Sequence, residues 1–96
     1  AEKLPAEKAA EWGLIWAAVD DADFTATVDG IAKQLSTAPT KALVRTRQAM
    51  HAAPSHTLEQ QLSMEGGFMR ELGWSSDFQE GVAAFMEKRA PKFTGN

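Results

Sequence analysis

The chain contains no cysteine among its 96 residues, which excludes disulfide bonds, thiolate metal sites and a cysteine nucleophile. It also lacks an excess of positive charge. Ten Lys and Arg residues stand against thirteen Asp and Glu residues, which gives a net charge of −3. Because affinity for nucleic-acid backbones comes mainly from Lys and Arg, this balance argues against a nucleic-acid-binding protein.

Long apolar runs are lacking too. The longest extends from Leu14 to Val19, against the roughly 18 residues that a membrane-spanning helix needs. No secretion signal is recognisable, so we expect no membrane partner and a reducing, cytoplasmic location. The chain has 44% hydrophobic and 24% charged residues, a composition typical of one globular domain.

Proline and glycine divide the chain into about five predicted helices. Pro5 suits the start of a first helix over residues 6–12, which ends at Gly13. A second helix is predicted over residues 23–36, and a third between Pro39 and Pro54. The fourth begins near residue 57, and the fifth begins near residue 76 and stops before Pro91. Between the first two helices, the apolar residues 14–19 predict a short buried extended segment.

Local signals refine the last two helices. Thr57 and Gln60 have the spacing of a capping box, and so do Ser76 and Gln79. The pair Gly66-Gly67 predicts a kink or a close helix approach within the fourth helix.

The predicted helices have uneven apolar stripes. In the second helix, Phe24, Val28, Ile31 and Leu35 are spaced by four, three and four residues, which places them on one face. Because the stripes elsewhere are weaker, we expect the helices to pack on something outside this chain.

Few residues suggest catalysis or metal binding. His51 and His56 are separated by a helix-ending proline and have no suitably spaced third ligand, so surface positions near a helix end are favoured. Asp20, Asp21 and Asp23 lack the pattern of a calcium loop and are better explained as acids at a helix start. We predict no catalytic residue and no metal ligand in this segment.

The end of the last helix carries Phe85, Lys88, Arg89 and Lys92. Phe85 and Lys88 are three residues apart and would share a helical face, where a ring can stack on a nucleobase while the ammonium meets a phosphate. The alternative is a core role for Phe85, with Lys88 and Arg89 complementing the helix dipole. Spacing alone leaves both interpretations open.

Several segments resemble the crotonase (enoyl-CoA hydratase/isomerase) superfamily. Residues 4–16, followed by Val19-Asp20, are similar to a family helix that ends at Gly-Leu-Ile or Gly-Leu-Val. Ala38-Pro39 is similar to a family helix start. Residues 77–93, with Glu80-Gly81, Ala84-Phe85, Glu87-Lys88-Arg89 and Phe93, are similar to the family's closing motif. Residues 12–16 and 89–95 look most like the phenylacetate-degradation branch, which includes ring-1,2-epoxyphenylacetyl-CoA isomerases.

The resemblance implies an all-α fold of about five helices. Residues 1–96 would be the C-terminal helical domain of a longer chain, whose β/α spiral domain, with the oxyanion hole and the catalytic carboxylates, is absent here. The start at Ala1 is equally compatible with methionine removal, processing or a fragment. By itself the segment would be inactive, without catalytic residues.

The resemblance further implies a coenzyme A thioester as substrate and no tightly bound cofactor. The parent would hydrate or isomerise an acyl-CoA, or rearrange a ring epoxide. The helical domain would cover the substrate site and build a homotrimer or hexamer, with Phe85 and Lys88 contacting the adenine and phosphates of CoA, in its own or a neighbouring subunit. The alternative function is a non-catalytic α-helical protein-interaction module.

Overall fold

The computed structural model describes residues 2–96, and all of their regular secondary structure is helical. The elements are α1 (Ala6–Glu11), α2 (Asp21–Ser36), α3 (Thr40–Ala52), α4 (Leu58–Gly73) and α5 (Ser76–Glu87), with a 3-10 turn at Ala53–Ser55. The predicted all-α fold with five helices is therefore confirmed. None of the helices in this part of the chain has the length and apolarity needed to cross a bilayer.

The chain divides into two compact units, Ala1–Lys33 and Gln34–Asn96. In the first unit, α1 ends as predicted, with Gly13 in the left-handed region at φ 74°. The prediction of a buried extended segment at residues 14–19 is wrong: these residues are irregular and exposed, with Trp16 at 78%. An extended segment needs a neighbouring strand or a covering layer, and the described residues contain no strand.

Apolar side chains remain largely uncovered within residues 2–96. The hydrophobic residues classed as buried there are two alanines, Ala9 and Ala84, and no large side chain is fully buried. In α2 the predicted stripe lies on the helix, yet Phe24 is 59% exposed and Leu35 is 51% exposed. These exposures support the expectation that the helices pack on something else.

The second unit begins with α3 and α4. The capping box at the start of α4 is confirmed, because Gln60 N donates to Thr57 Oγ1 at 3.3 Å and Thr57 N donates to Gln60 Oε1 at 2.9 Å. The helix α4 is continuous through Gly66-Gly67, where the sequence predicted a kink or a close helix approach. A Cβ at either glycine would meet no atom within 4 Å in the described chain. The pair costs α4 only about 1 kcal/mol per glycine, which a capped helix tolerates.

The second predicted capping box is also wrong. Ser75, one residue before the predicted cap, accepts a hydrogen bond from Phe78 N at 3.1 Å and starts α5. Ser76 instead donates its hydroxyl to the carbonyl oxygen of Asn96 at 2.9 Å. The contact with Asn96, at the far end of the chain, leaves the capping role to Ser75. Local spacing alone does not distinguish the two serines.

Residues 90–96 have no regular secondary structure, yet Asp77 fastens them to the first turn of α5. Its side chain is buried, with 5% exposure. One carboxylate oxygen accepts from Thr94 N at 2.7 Å and Thr94 Oγ1 at 3.3 Å, and the other accepts from Gly95 N at 2.8 Å. Gly95 has a φ of 85°, which only glycine adopts easily.

Glu80 fastens the same tail one turn further along α5. Its carboxylate accepts from both terminal nitrogens of Arg89, with Nη2 at 2.9 Å, and from Lys92 N at 2.7 Å. The Arg89 hydrogen bonds, followed by the Lys92 N–H, lower the pKa of Glu80 to about 2. Arg89 also donates from Nε to Glu87 at 2.6 Å, and its pKa is raised above its usual value, mainly by the hydrogen bonds to Glu80.

Replacing Asp77 with Asn is expected to loosen the tail. The amide would direct N–H groups at the converging donors of Thr94 and Gly95, and leaving such buried groups unpaired costs about 1–3 kcal/mol. Hydrogen exchange at the Thr94 and Gly95 amides should therefore accelerate. Asp23→Asn, which removes an exposed carboxylate from α2, is the control. Unchanged protection of both amides in the Asp77 variant would contradict this role.

Ionised Glu80 stabilises the folded tail, because its pKa of about 2 lies below the usual value of 4.5. The stabilisation is complete above about pH 4.5 and is lost as the pH falls towards about 2. The Lys92 amide proton donates to Glu80, so its chemical shift should titrate with a midpoint near 2. The titration should vanish in Glu80→Gln. A wild-type midpoint near 4.5 would count against this arrangement.

Candidate functional site

The backbone at the end of α5 holds Lys88 in an unusual conformation. Lys88 lies in the left-handed region, with φ 53° and ψ 41°. Arg89 N donates to Ala84 O at 3.0 Å and Lys88 N donates to Phe85 O at 3.3 Å, which is the pattern of a Schellman turn. Glycine is usual at this position, since a side chain in the left-handed region costs about 1–2 kcal/mol. A lysine here is therefore held against its own backbone preference.

Phe85 lies in the last turn of α5, and 81% of it is exposed. The prediction that Phe85 and Lys88 share a helical face assumed that the helix continues through Lys88, whereas α5 ends at Glu87. The cation–π contacts recorded within residues 2–96 join Lys8 to Trp12 and Arg45 to Phe68, so none joins Lys88 to Phe85. Both predicted site residues are exposed at one end of α5 without stacking on each other.

The charged groups around this end of α5 differ in their partners. Arg89 is neutralised by Glu80 and Glu87, as described above. The Lys88 ammonium makes no hydrogen bond or ion pair with the residues that the structure describes. Lys88 can therefore offer its charge to an anion, while Arg89 cannot without giving up a carboxylate. The arrangement disfavours a core role for Phe85 within the described chain.

An apolar groove of about 440 Å³ lies beside Phe85. It runs between the start of α3, the end of α4, α5 and the tail. Its apolar walls include Ala42, Leu72, Phe78, Val82, Phe85 and Phe93. A Cβ on Gly81 would lie 3.7 Å from the Phe93 ring, an ordinary van der Waals distance, so the ring packs against α5 at this point. Sequence reasoning did not predict this groove, because the tail carries no regular pattern that indicates where Phe93 packs.

A cluster of charged side chains joins α3 to α4. Arg45 donates to both oxygens of Glu71, from Nε at 2.9 Å and from Nη2 at 2.8 Å, and Lys41 Nζ lies 3.3 Å from Glu71 Oε1. The Arg45 guanidinium also lies 5.1 Å from the centre of the Phe68 ring. The hydrogen bonds from Arg45 lower the pKa of Glu71 below its usual value. Lys41 and Arg45 lie four residues apart on α3, but no pattern in the sequence identifies Glu71 on α4 as their partner.

The other candidate residues are not brought together. His51 is exposed, and His56 Nδ1 lies 3.1 Å from Gln61 Oε1 at the start of α4. Asp21 and Asp23 lie in the first turn of α2, where acids favour the helix dipole, as predicted. Within residues 2–96, no three His, Asp or Glu side chains are grouped so that they could hold a metal ion.

Comparison with known proteins gives a consistent result. The sequence model of the enoyl-CoA hydratase/isomerase family matches residues 1–96. The chain is 45% identical over 93 residues to the 1,2-epoxyphenylacetyl-CoA isomerase of Escherichia coli K12, covering 97% of this chain and 36% of that protein. It is 48% identical over 95 residues to a probable enoyl-CoA hydratase of Rhodobacter capsulatus, covering 99% of this chain and 37% of that protein.

Solved structures show the same likeness. A crystal structure of an enoyl-CoA hydratase from Polaromonas sp. JS666 matches with a TM-score of 0.91 at 29% identity, over 97% of this chain and 36% of that one. One from Geobacillus kaustophilus HTA426 matches with a TM-score of 0.89 at 27% identity, over 99% of this chain and 36% of that one.

The chain thus spans little more than a third of the length of these relatives, and its fold is that of the helical C-terminal part of a crotonase fold. The resemblance drawn from the closing motif is confirmed. The chain belongs to the enoyl-CoA hydratase/isomerase family.

Proposed function

We propose that residues 1–96 are the helical domain of an enzyme that hydrates or isomerises acyl-CoA thioesters. In this proposal the segment covers the substrate site, contacts CoA through Phe85 and Lys88, and drives assembly into a trimer or hexamer. The observation that carries it is the exposed lysine in a left-handed turn beside an exposed phenylalanine, in a chain of this family.

The chemistry of the two side chains suits a nucleotide with phosphates. An exposed ring offers a surface on which a base can stack, and an ammonium group forms charge-assisted hydrogen bonds with phosphate oxygens. Backbone strain concentrates where a function requires it. The left-handed Lys88 is such an outlier, since glycine would close the turn at lower cost.

The uncovered apolar surface supports the covering and assembly roles. The exposed fractions are 55% for Phe78, 49% for Val82 and 74% for Met86 on α5, and 58% for Leu62 on α4. Burial of such a side chain stabilises a protein by about 1.5–3 kcal/mol. In the proposed parent, the spiral domain and neighbouring subunits cover these faces. We expect the parent to be a cytoplasmic enzyme.

The reaction is assigned to the part of the parent outside residues 1–96. There, backbone N–H groups would polarise the thioester carbonyl and carboxylates would move the proton. The 45% identity to a 1,2-epoxyphenylacetyl-CoA isomerase supports the phenylacetate-degradation branch, in which the ring epoxide is isomerised. The residues described here would close the pocket and bind the CoA portion, with no tightly held cofactor.

Lys88→Ala in the full-length parent is expected to weaken binding of a CoA ester by about 1–3 kcal/mol, because one charge-assisted contact with phosphate is lost. Calorimetry with free CoA measures the effect directly. Lys3→Ala, which removes an equivalent charge far along the sequence, is the matched control. Unchanged CoA affinity in the Lys88 variant would remove it from the site.

The isolated chain is expected to bind the dye ANS strongly and to turn over neither crotonyl-CoA nor 1,2-epoxyphenylacetyl-CoA, while the parent binds little dye and turns over at least one of the two. The reason is that the apolar faces lack their cover and the catalytic groups lie elsewhere. Dye fluorescence per mole of each protein tests this. Equally weak fluorescence from both would contradict the covering role, and turnover by the isolated chain would overturn the division of labour.

A further inference from the structure

We propose that Glu80 is the positioning residue for Lys88, and that it acts by clamping the backbone and side chains that follow the left-handed turn. This inference rests on the proposed CoA contact of Lys88 and deepens it. Glu80 itself touches no substrate in this scheme. Its carboxylate holds the chain directly after the left-handed turn at Lys88.

The contacts of Glu80 lie on the residues directly after Lys88. Arg89 is the next residue, and its guanidinium meets Glu80 through two nitrogens. Lys92 follows three residues later, and its backbone N–H donates to the same carboxylate at 2.7 Å. One side chain therefore ties two points of the segment that leaves the turn. Neither contact is part of the Schellman hydrogen bonds, which run back to Ala84 and Phe85.

The left-handed backbone conformation of Lys88 must be stabilised by contacts outside the residue itself. A non-glycine residue in the left-handed region is disfavoured, and helix ends fray readily. The hydrogen bonds of the turn, at 3.0 and 3.3 Å, supply part of this stabilisation. The bidentate Glu80–Arg89 pair supplies a geometrically specific part, because a planar fork matches a carboxylate in one orientation. The turn is therefore already ordered before CoA binds, so binding does not have to provide the free energy for ordering it.

The same pair also adjusts the local charge. Glu80 and Glu87 would repel a phosphate near Lys88 if they were unpaired. Arg89 pairs with both, with Nε 2.6 Å from Glu87, and so offsets one of their two negative charges. Lys88 then presents its charge without a competing carboxylate partner within the described residues. One arginine thus reduces, by one unit, the negative charge beside the proposed anion site.

The test compares two substrates of the full-length parent. One is an acyl-CoA, and the other is the same acyl group on N-acetylcysteamine, which lacks the nucleotide and its phosphates. Glu80→Gln and Arg89→Lys should each raise KM for the CoA ester about five- to tenfold, since binding must then order the turn. The kcat for the CoA ester and the kcat/KM for the truncated thioester should be unchanged. Glu59→Gln, an exposed carboxylate in the first turn of α4, is the matched control.

A double variant shows whether Glu80 acts through Lys88. Adding Glu80→Gln to Lys88→Ala should raise KM for the CoA ester no further, because the group being positioned is already gone. An additional increase of the same size as in the single variant would overturn the positioning role. Equal losses on both thioesters would also overturn it, since that pattern indicates general misfolding.

The remaining outcomes separate the two proposals. If Lys88→Ala weakens CoA binding while Glu80→Gln and Arg89→Lys change nothing, the positioning role fails and the CoA contact stands. If Lys88→Ala also changes nothing, the CoA contact fails and the positioning role fails with it. Calorimetry with free CoA gives the same comparison without turnover.

Discussion

Two carboxylates on one helix, Asp77 and Glu80, hold the end of this chain in place, and the candidate site depends on them. Together they accept hydrogen bonds from residues 89, 92, 94 and 95, so a segment without regular structure follows α5 back towards its start. Asp77 is buried and its side chain accepts hydrogen bonds from Thr94 and Gly95, while the more exposed Glu80 binds the residues after Lys88. These contacts hold Phe93 against the groove and hold the residues that follow the left-handed turn at Lys88.

The second constraint is that few apolar side chains of the described residues are buried. Small alanines are buried, whereas phenylalanine, leucine and methionine side chains on α2 to α5, and the tryptophans outside the helices, remain exposed. A chain in this condition obtains little stability from its own packing, because burial of large apolar groups is the main favourable term in folding. The internal polar links, such as Arg45 with Glu71, align the helices but do not replace that term. The family relationship provides a physical reason for this condition: the chain matches only about 36% of each relative's length, and the proposed cover is the rest.

Local signals predicted the helices well. Pro5, Gly13, Pro39 and the Thr57 capping box act within a turn of their own position, so their effects do not depend on distant partners. The failures share a different cause. Residues 14–19 were expected to be buried, and Ser76 was expected to cap α5; in both cases the outcome depends on what lies next to the segment in space. Phe85 and Lys88 lie at the C-terminal end of α5, where the motif placed them, but the motif did not indicate that Lys88 adopts a left-handed conformation.

The sequence by itself determined the helix count, most of the helix boundaries and the family, because caps, helix breakers and a closing motif are short-range information. Only the tertiary structure decided that Glu80 binds Arg89 and Lys92, that Asp77 binds the tail, and that Lys88 is left without a carboxylate partner in the described chain. Each of these depends on where the backbone turns after α5. The conformation of such a turn depends on the total free energy of its contacts with the helix. No single residue in the sequence determines that total.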